Sequence, residues 1–339
     1  MSLRKLQYHK AFSLECGGEF KELQIAYHTY GKLNSSKDNV VWICHALTAN
    51  SDAKDWWPGM IGEGCLYDPR EKYIVCANIL GSCYGTTGPL SINHETGVPY
   101  YRSFPKITMR DQVRAHEILR NHLGIERIHS ITGGSIGGQQ ALEYSIMFPE
   151  LIQNLVFIAS NAAYSPWGIA FSESMRLAIE ADASFYEDRP DGGKNGLRAA
   201  RSIALLSYRN DRIYNKTQAE ETDEKTDNFK ASSYQDYQGN KLVKRFNAYS
   251  YYTLLNLSDT HNVGRGRGGK SNALKNILAR TLAIGISSDL LFPTYEQKFV
   301  AENVNQGKYI EIDSLYGHDG FLIETEKITQ LVREFYNNK

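Results

Sequence analysis

The chain has 339 residues, of which 42% are hydrophobic. That is enough for a sizeable buried core and for one large domain plus a smaller one. Lysine plus arginine equals aspartate plus glutamate at 38 each, so no net field selects nucleic acid, an anionic membrane or a polyanionic partner.

No apolar stretch approaches the length of a membrane span. The segment from Met1 to Phe20 carries Arg4, Lys5 and Lys10 and lacks the apolar run of a secretory leader, which points to a cytoplasmic protein. Five cysteines, Cys16, Cys44, Cys65, Cys76 and Cys83, form no CxxC pair and are expected to be reduced thiols. The histidines show no HxH or HExxH spacing, so no metal is implied. His94, His116, His122 and His129 read as helix or turn surface.

The first element in chain order is "FSLECGGEFKELQIAYHTYG" (12–31), which reads as an antiparallel hairpin turned at Gly17 and Gly18. Short apolar runs follow: "VVWIC" (40–44), "YIVCA" (73–77), "IHSIT" (128–132), "LVFIAS" (155–160), "TLAIGI" (281–286) and "YIEID" (309–313). Most do not alternate, as expected for strands of a mainly parallel sheet buried on both faces.

Between the second and third of these, Thr108 is placed to cap a helix whose apolar stripe is Met109, Val113, Ile118, Leu119 and Leu123. Gly124 closes it. Alternating strand and helix makes this an α/β fold. From about Pro166 to about Asn276 the alternation stops and the chain turns helical, polar and aromatic. The expected organisation is therefore a core of residues 1–165 and 277–339 carrying a helical insertion of residues 166–276.

"GGSIG" (133–137) matches G-x-S-x-G directly after the strand "IHSIT" and directly before the helical stretch "QQALEYSIMF". A serine there sits on a strained strand-to-helix turn, flanked by glycines because the backbones approach too closely for a Cβ. This architecture then requires an acid and a histidine, in that order, each after a later strand. Asp289 follows "TLAIGI" and His318 follows "YIEID", which nominates Ser135, Asp289 and His318 as a catalytic triad. An oxyanion hole needs the N–H of Ile136 and one from the loop "HALTANSD" (45–52), for which Leu47 is the candidate. His45, at the strand end, is expected to orient that loop.

"GRGRGGKS" (264–271) matches the P-loop pattern G-x-x-x-x-G-K-[ST]. A P-loop must follow a strand, whereas "FNAYSYYTLLNLSDTHNV" reads as a helix running into a loop. The segment therefore reads as a flexible basic hinge carrying Arg265, Arg267 and Lys270.

"CHALTANSDA", "NILGSCYGTTGPLSIN", "FPKITMRDQV", "TGGSIGGQQALEY", "GISSDLLFP" and "YGHDGFLIE" together resemble the homoserine O-acetyltransferase family of α/β-hydrolase-fold enzymes, over about Phe12 to Phe335. The resemblance implies that Ser135 carries an acyl group from acetyl-coenzyme A to the hydroxyl of L-homoserine, in methionine biosynthesis. It also implies no bound cofactor, with acetyl-coenzyme A as a co-substrate whose phosphates Arg265, Arg267 and Lys270 are candidates to meet.

The same resemblance implies a helical lid and a homodimer through it, and it gives Arg201 and Tyr208 to the substrate carboxylate and Asp319 to the α-ammonium. Where the family often shows Met, Trp and Gly, this chain has Ile136, Tyr144 and Ala49. Succinyl-coenzyme A or L-serine as substrate, an esterase or thioesterase on the same fold, and a nucleotide-binding protein are the alternatives.

Overall fold

Val40, Val41, Trp42, Ile43 and Cys44 are all fully buried, although successive side chains of a strand point to opposite faces. Val40, Trp42 and Cys44 enter one apolar cluster, and Val41 and Ile43 another. A strand covered on both sides needs no polar alternation, which is why the apolar runs were continuous.

The structure, a computed structural model, describes residues 2–338. Its strands are β1 (Arg4–Tyr8), β2 (Phe12–Ser13), β3 (Glu19–Phe20), β4 (Leu23–Tyr30), β5 (Val40–Cys44), β6 (Tyr73–Ala77), β7 (Ile128–Gly134), β8 (Ile152–Ile158), β9 (Arg280–Ile286) and β10 (Gly307–Ile312). Its helices are α1 (Ala53–Trp56), α2 (Met109–His122), α3 (Ile136–Met147), α4 (Pro166–Glu180), α5 (Lys194–Tyr208), α6 (Asp211–Thr217), α7 (Lys230–Val243), α8 (Ala248–Asp259), α9 (Lys270–Leu274), α10 (Thr294–Asn303), α11 (Gly320–Ile323) and α12 (Thr325–Asn337).

Among the described residues one sheet of eight strands runs in the order β1-β4-β6-β5-β7-β8-β9-β10. The pairs β1–β4 and β4–β6 are antiparallel and all others in this sheet are parallel. This is the expected mainly parallel α/β architecture. The glycine-turned hairpin exists only as β2 with β3, which pair Phe12 with Phe20. The rest of that segment, β4, instead joins the large sheet through β6, and its outer side carries the edge strand β1, not anticipated because its sequence "RKLQY" is largely solvent-facing.

Thr108 caps α2 as expected: its side chain accepts the Asp111 N–H, and the Asp111 carboxylate accepts the Thr108 N–H in return. Such caps stabilise a helix by about 1 kcal/mol. The buried face of α2 departs from the expected stripe, since Ile118 and Leu123 are only half-buried while Gln112 and His116 are fully enclosed.

His116 is thus not a surface residue. It lies 5.6 Å from the Trp42 ring and its Nε2 is 2.6 Å from the Gln112 amide. Burial pushes its pKa down to about 3, so it is a neutral hydrogen-bonding core residue. His94 and His122 are exposed, and His129 is half-buried on β7.

Helices α4 to α9 all lie between β8 and β9. Their apolar residues, among them Met175, Ile179, Leu197 and Leu254, belong to the same cluster as the strand residues Trp42 and Leu155. They therefore pack on the sheet's C-terminal side as a continuation of its core. No helix among the described residues is long and apolar enough to cross a membrane.

Candidate active site

β7 runs into α3 through a turn whose central residue, Ser135, has φ 58 and ψ −131. A side chain rarely tolerates that backbone, and it persists where neighbouring groups impose it. The Ser135 N–H donates to Ile158 O and Ala159 O at 3.1 and 3.2 Å, while its carbonyl accepts the Ser160 hydroxyl at 2.7 Å. The flanking glycines are steric necessities. A Cβ on Gly133 would lie 2.4 Å from the Gly137 carbonyl carbon, and one on Gly137 would lie 2.2 Å from Cys44 O.

β9 leads to Asp289 and β10 to His318, and the two meet: His318 Nδ1 lies 2.7 Å from Asp289 Oδ2. Asp289 Oδ1 accepts the Leu291 and Phe292 N–H groups at 2.8 and 2.9 Å. Asp289 is 5% exposed and His318 3%. The imidazole is wedged by the Phe292, Phe321 and Tyr208 rings, at 5.0, 5.3 and 5.7 Å between centroids. The Ser135-to-His318 hydrogen bond is not made in this geometry; such bonds often tighten only when substrate arrives.

β5 ends at the loop of residues 45–52. His45, fully buried, has Nδ1 2.8 Å from Ala46 O, and its Nε2 accepts the Ile79 N–H at 3.0 Å. Burial pulls its pKa down to about 4, so it acts as a neutral brace for the loop and not as a base. The Gln140 amide also holds His45 O, at 3.1 Å. Among the described residues the Leu47 N–H donates to no protein acceptor. Leu47, Ser135, Arg201, Tyr208, His318 and Asp319 line a single cavity of about 80 Å³.

α5 brings Arg201 and Tyr208 to this cavity. The Arg201 guanidinium lies 5.5 Å from the centre of the Tyr208 ring, a cation–π contact. No carboxylate of the described residues lies within 4 Å of it. Asp319, expected opposite the α-ammonium, lines the cavity, and its Oδ2 accepts from Arg209 Nη1. Arg209, at the end of α5, did not stand out in the sequence, where an arginine closing a polar helix looks like a solvated charge.

The P-loop-like segment follows α8 and not a strand, and it is not a loose hinge. Arg265 grips Glu15 with Nη1 and Nη2 at 3.0 and 3.1 Å, and Arg267 grips Glu143 at 3.0 and 2.6 Å. Arg110 bridges the same two carboxylates. Lys270 Nζ lies 5.2 Å from the Phe299 ring. With its arginines so engaged the segment is a staple between the helices after β8 and the sheet domain.

The departures at Tyr144 and Ala49 fit their surroundings. Tyr144 is fully buried, donates to Glu117 Oε1 and stands edge-on to Trp42 at 5.9 Å. Ala49 is outside the positive-φ residues, so its turn does not require glycine.

The sequence pattern of the alpha/beta hydrolase fold family matches residues 39–325. A homoserine O-acetyltransferase of Cyclobacterium marinum is 49% identical over 96% of this chain and 93% of its own. The chain belongs to the homoserine O-acetyltransferase family. A crystal structure of a homoserine O-acetyltransferase from Bacillus anthracis superposes with a TM-score of 0.92 at 25% identity, covering 100% of this chain and 99% of that one. The esterase E22 structure superposes with a TM-score of 0.90 at 22% identity over 98% and 100% of the two chains, a likeness of fold alone. The homoserine O-acetyltransferase family and an esterase thus share this scaffold, and the residues of the cavity must separate transfer from hydrolysis.

Proposed function

We propose that the protein moves an acetyl group from acetyl-coenzyme A to the hydroxyl of L-homoserine, through an acetyl-Ser135 intermediate. The observation that carries this reading is the pairing, in one cavity, of an arginine without a carboxylate partner and an acid with the serine and the base. A simple ester needs no such receptor; an amino-acid zwitterion does.

In the first half-reaction His318 takes the Ser135 proton and Oγ attacks the thioester carbonyl. The oxyanion is received by the Ile136 and Leu47 N–H groups. The C–S bond breaks, and the departing sulfur takes the proton from His318 as coenzyme A leaves. In the second, Arg201 grips the homoserine carboxylate, with Tyr208 adding a hydroxyl contact and Asp319 facing the α-ammonium. His318 takes the homoserine hydroxyl proton, that oxygen attacks the acetyl carbon, and the proton returns to Ser135 as O-acetyl-homoserine leaves. Holding the acceptor at both charged ends raises its effective concentration over water.

Helices α4 to α8 act as the lid in this reading. Homodimerisation through them is supported by Trp167, Leu177, Leu206 and Tyr237, each more than half exposed. A cytoplasmic setting is supported by the five free cysteines.

The test is thiol release from acetyl- and succinyl-coenzyme A, each without acceptor, with L-homoserine and with L-serine. Fast release only with acetyl-coenzyme A plus homoserine is expected, with parallel double-reciprocal lines. A different productive pair would reassign the substrates and keep the mechanism. Release that ignores the acceptor would make the protein a thioesterase.

A further inference from the structure

The end of α5 is pressed against the loop that carries the base. A Cβ on Gly317, where φ is +62, would lie 2.8 Å from Tyr208 O and from the Arg209 carbonyl carbon. From this contact the Arg209 guanidinium reaches two groups. Nη1 donates to Asp319 Oδ2, and Nη2 donates to the Tyr234 hydroxyl of α7 at 3.1 Å. The Arg209 and Asp319 side chains are only 25% and 18% exposed. Asp319 Oδ1 accepts no hydrogen bond from the described residues.

Arg201 and Asp319 line the same cavity. Of the two, only Asp319 has an oppositely charged partner among the described residues. A guanidinium and a carboxylate lining so small a space would pair directly if both were free. The receptor for a zwitterion would then close on itself.

We infer that Arg209 is a positioning residue for the acceptor amino acid: it holds Asp319 by one oxygen, keeps that acid from collapsing onto Arg201, and leaves the second oxygen to the α-ammonium. Tyr234 anchors the other arm of the guanidinium, so the fork has one orientation. This inference rests on the acyltransferase reading and adds what keeps its two recognition charges apart.

The experiment compares Arg209→Gln, Arg209→Lys and Tyr234→Phe with the wild type. It measures homoserine KM, single-turnover thiol release from acetyl-coenzyme A, which reports acyl-enzyme formation, and discrimination between homoserine and 4-hydroxybutanoate, which lacks the ammonium. Charge-assisted hydrogen bonds set the scale, so Arg209→Gln should raise homoserine KM by ~10- to 100-fold. Discrimination against 4-hydroxybutanoate should shrink by a similar factor, while acyl-enzyme formation falls far less. Arg209→Lys should recover part of the loss, and Tyr234→Phe should show a smaller loss of the same kind.

An unchanged KM and unchanged discrimination in Arg209→Gln, with acceptor-dependent release in the wild type, overturns this inference alone. So does an equal fall in acyl-enzyme formation and transfer, which would make the ion pair a general lid support. Acceptor-independent release by the wild type overturns the acyltransferase reading and this inference with it.

Discussion

Asp289 gives one oxygen to His318 Nδ1 at 2.7 Å and the other to two backbone N–H groups. A carboxylate so engaged accepts only, which fixes the His318 proton on Nδ1 and leaves Nε2 basic toward Ser135. Asp289→Asn presents a donor in place of an acceptor and favours the wrong tautomer. The expected result is a fall in kcat of about 10⁴-fold with little change in homoserine KM, read from initial rates of thiol release.

Ser135 keeps its positive φ because hydrogen bonds with the end of β8 and the residues just after it hold it there. Backbone of this kind costs on the order of 1–3 kcal/mol. Ser135→Gly is therefore expected to melt at a higher temperature than wild type while losing at least ~10³-fold in activity. Ser135→Ala should lose as much activity without the gain in stability, so the pair of melting curves isolates the strain.

Gly134 stands against the ring of Phe321, where a Cβ would lie 2.4 Å from Cδ2, and that ring packs 5.3 Å from His318. Phe321 is fully buried and has little room to retreat. Gly134→Ala should transmit its clash to the base, lowering kcat by a larger factor than the change in melting temperature alone would suggest. Unchanged kcat would mean that Phe321 yields without moving His318.

Glu296 accepts from Asn161 Nδ2 at 3.0 Å, and burial, helped by the nearby Asp289 carboxylate, pushes its pKa up to about 7. Its unfolded value is 4.5. Between these two values the folded state keeps a proton that the unfolded state has lost, so its contribution to stability is full below pH 4.5 and is lost as pH rises through 7. Glu296→Gln should therefore match wild type in melting temperature near pH 4.5 and exceed it at pH 8. A difference that is constant across that range would contradict the shift.

The proposed triad was legible because each member is announced locally. Ser135 sits in a short motif between a strand and a helix, and Asp289 and His318 each follow an apolar strand. Arg209 was not, because its partner Asp319 is 110 residues away in the chain. His116 was misjudged for a related reason: its helix buries a polar face through hydrogen bonds to Gln112 and, through Gln112, to the Leu80 N–H, and periodicity counts only apolar residues. The segment of residues 264–271 read as a flexible hinge because Glu15 and Glu143, which claim its arginines, lie far away in the sequence. The strand β1 escaped notice because an edge strand with few buried residues carries almost no hydrophobic signal.

The strands β8 and β9 are hydrogen-bonded neighbours, yet all of α4 to α9 intervenes between them in the chain. Ribosomal synthesis therefore delivers the nucleophile turn long before the strand that carries the acid, and the long span must fold up before β9 can dock. Until then β8 presents an open, apolar edge. Damage to the inserted helices should accordingly surface first as aggregation during expression, and only in the surviving molecules as altered choice of acceptor.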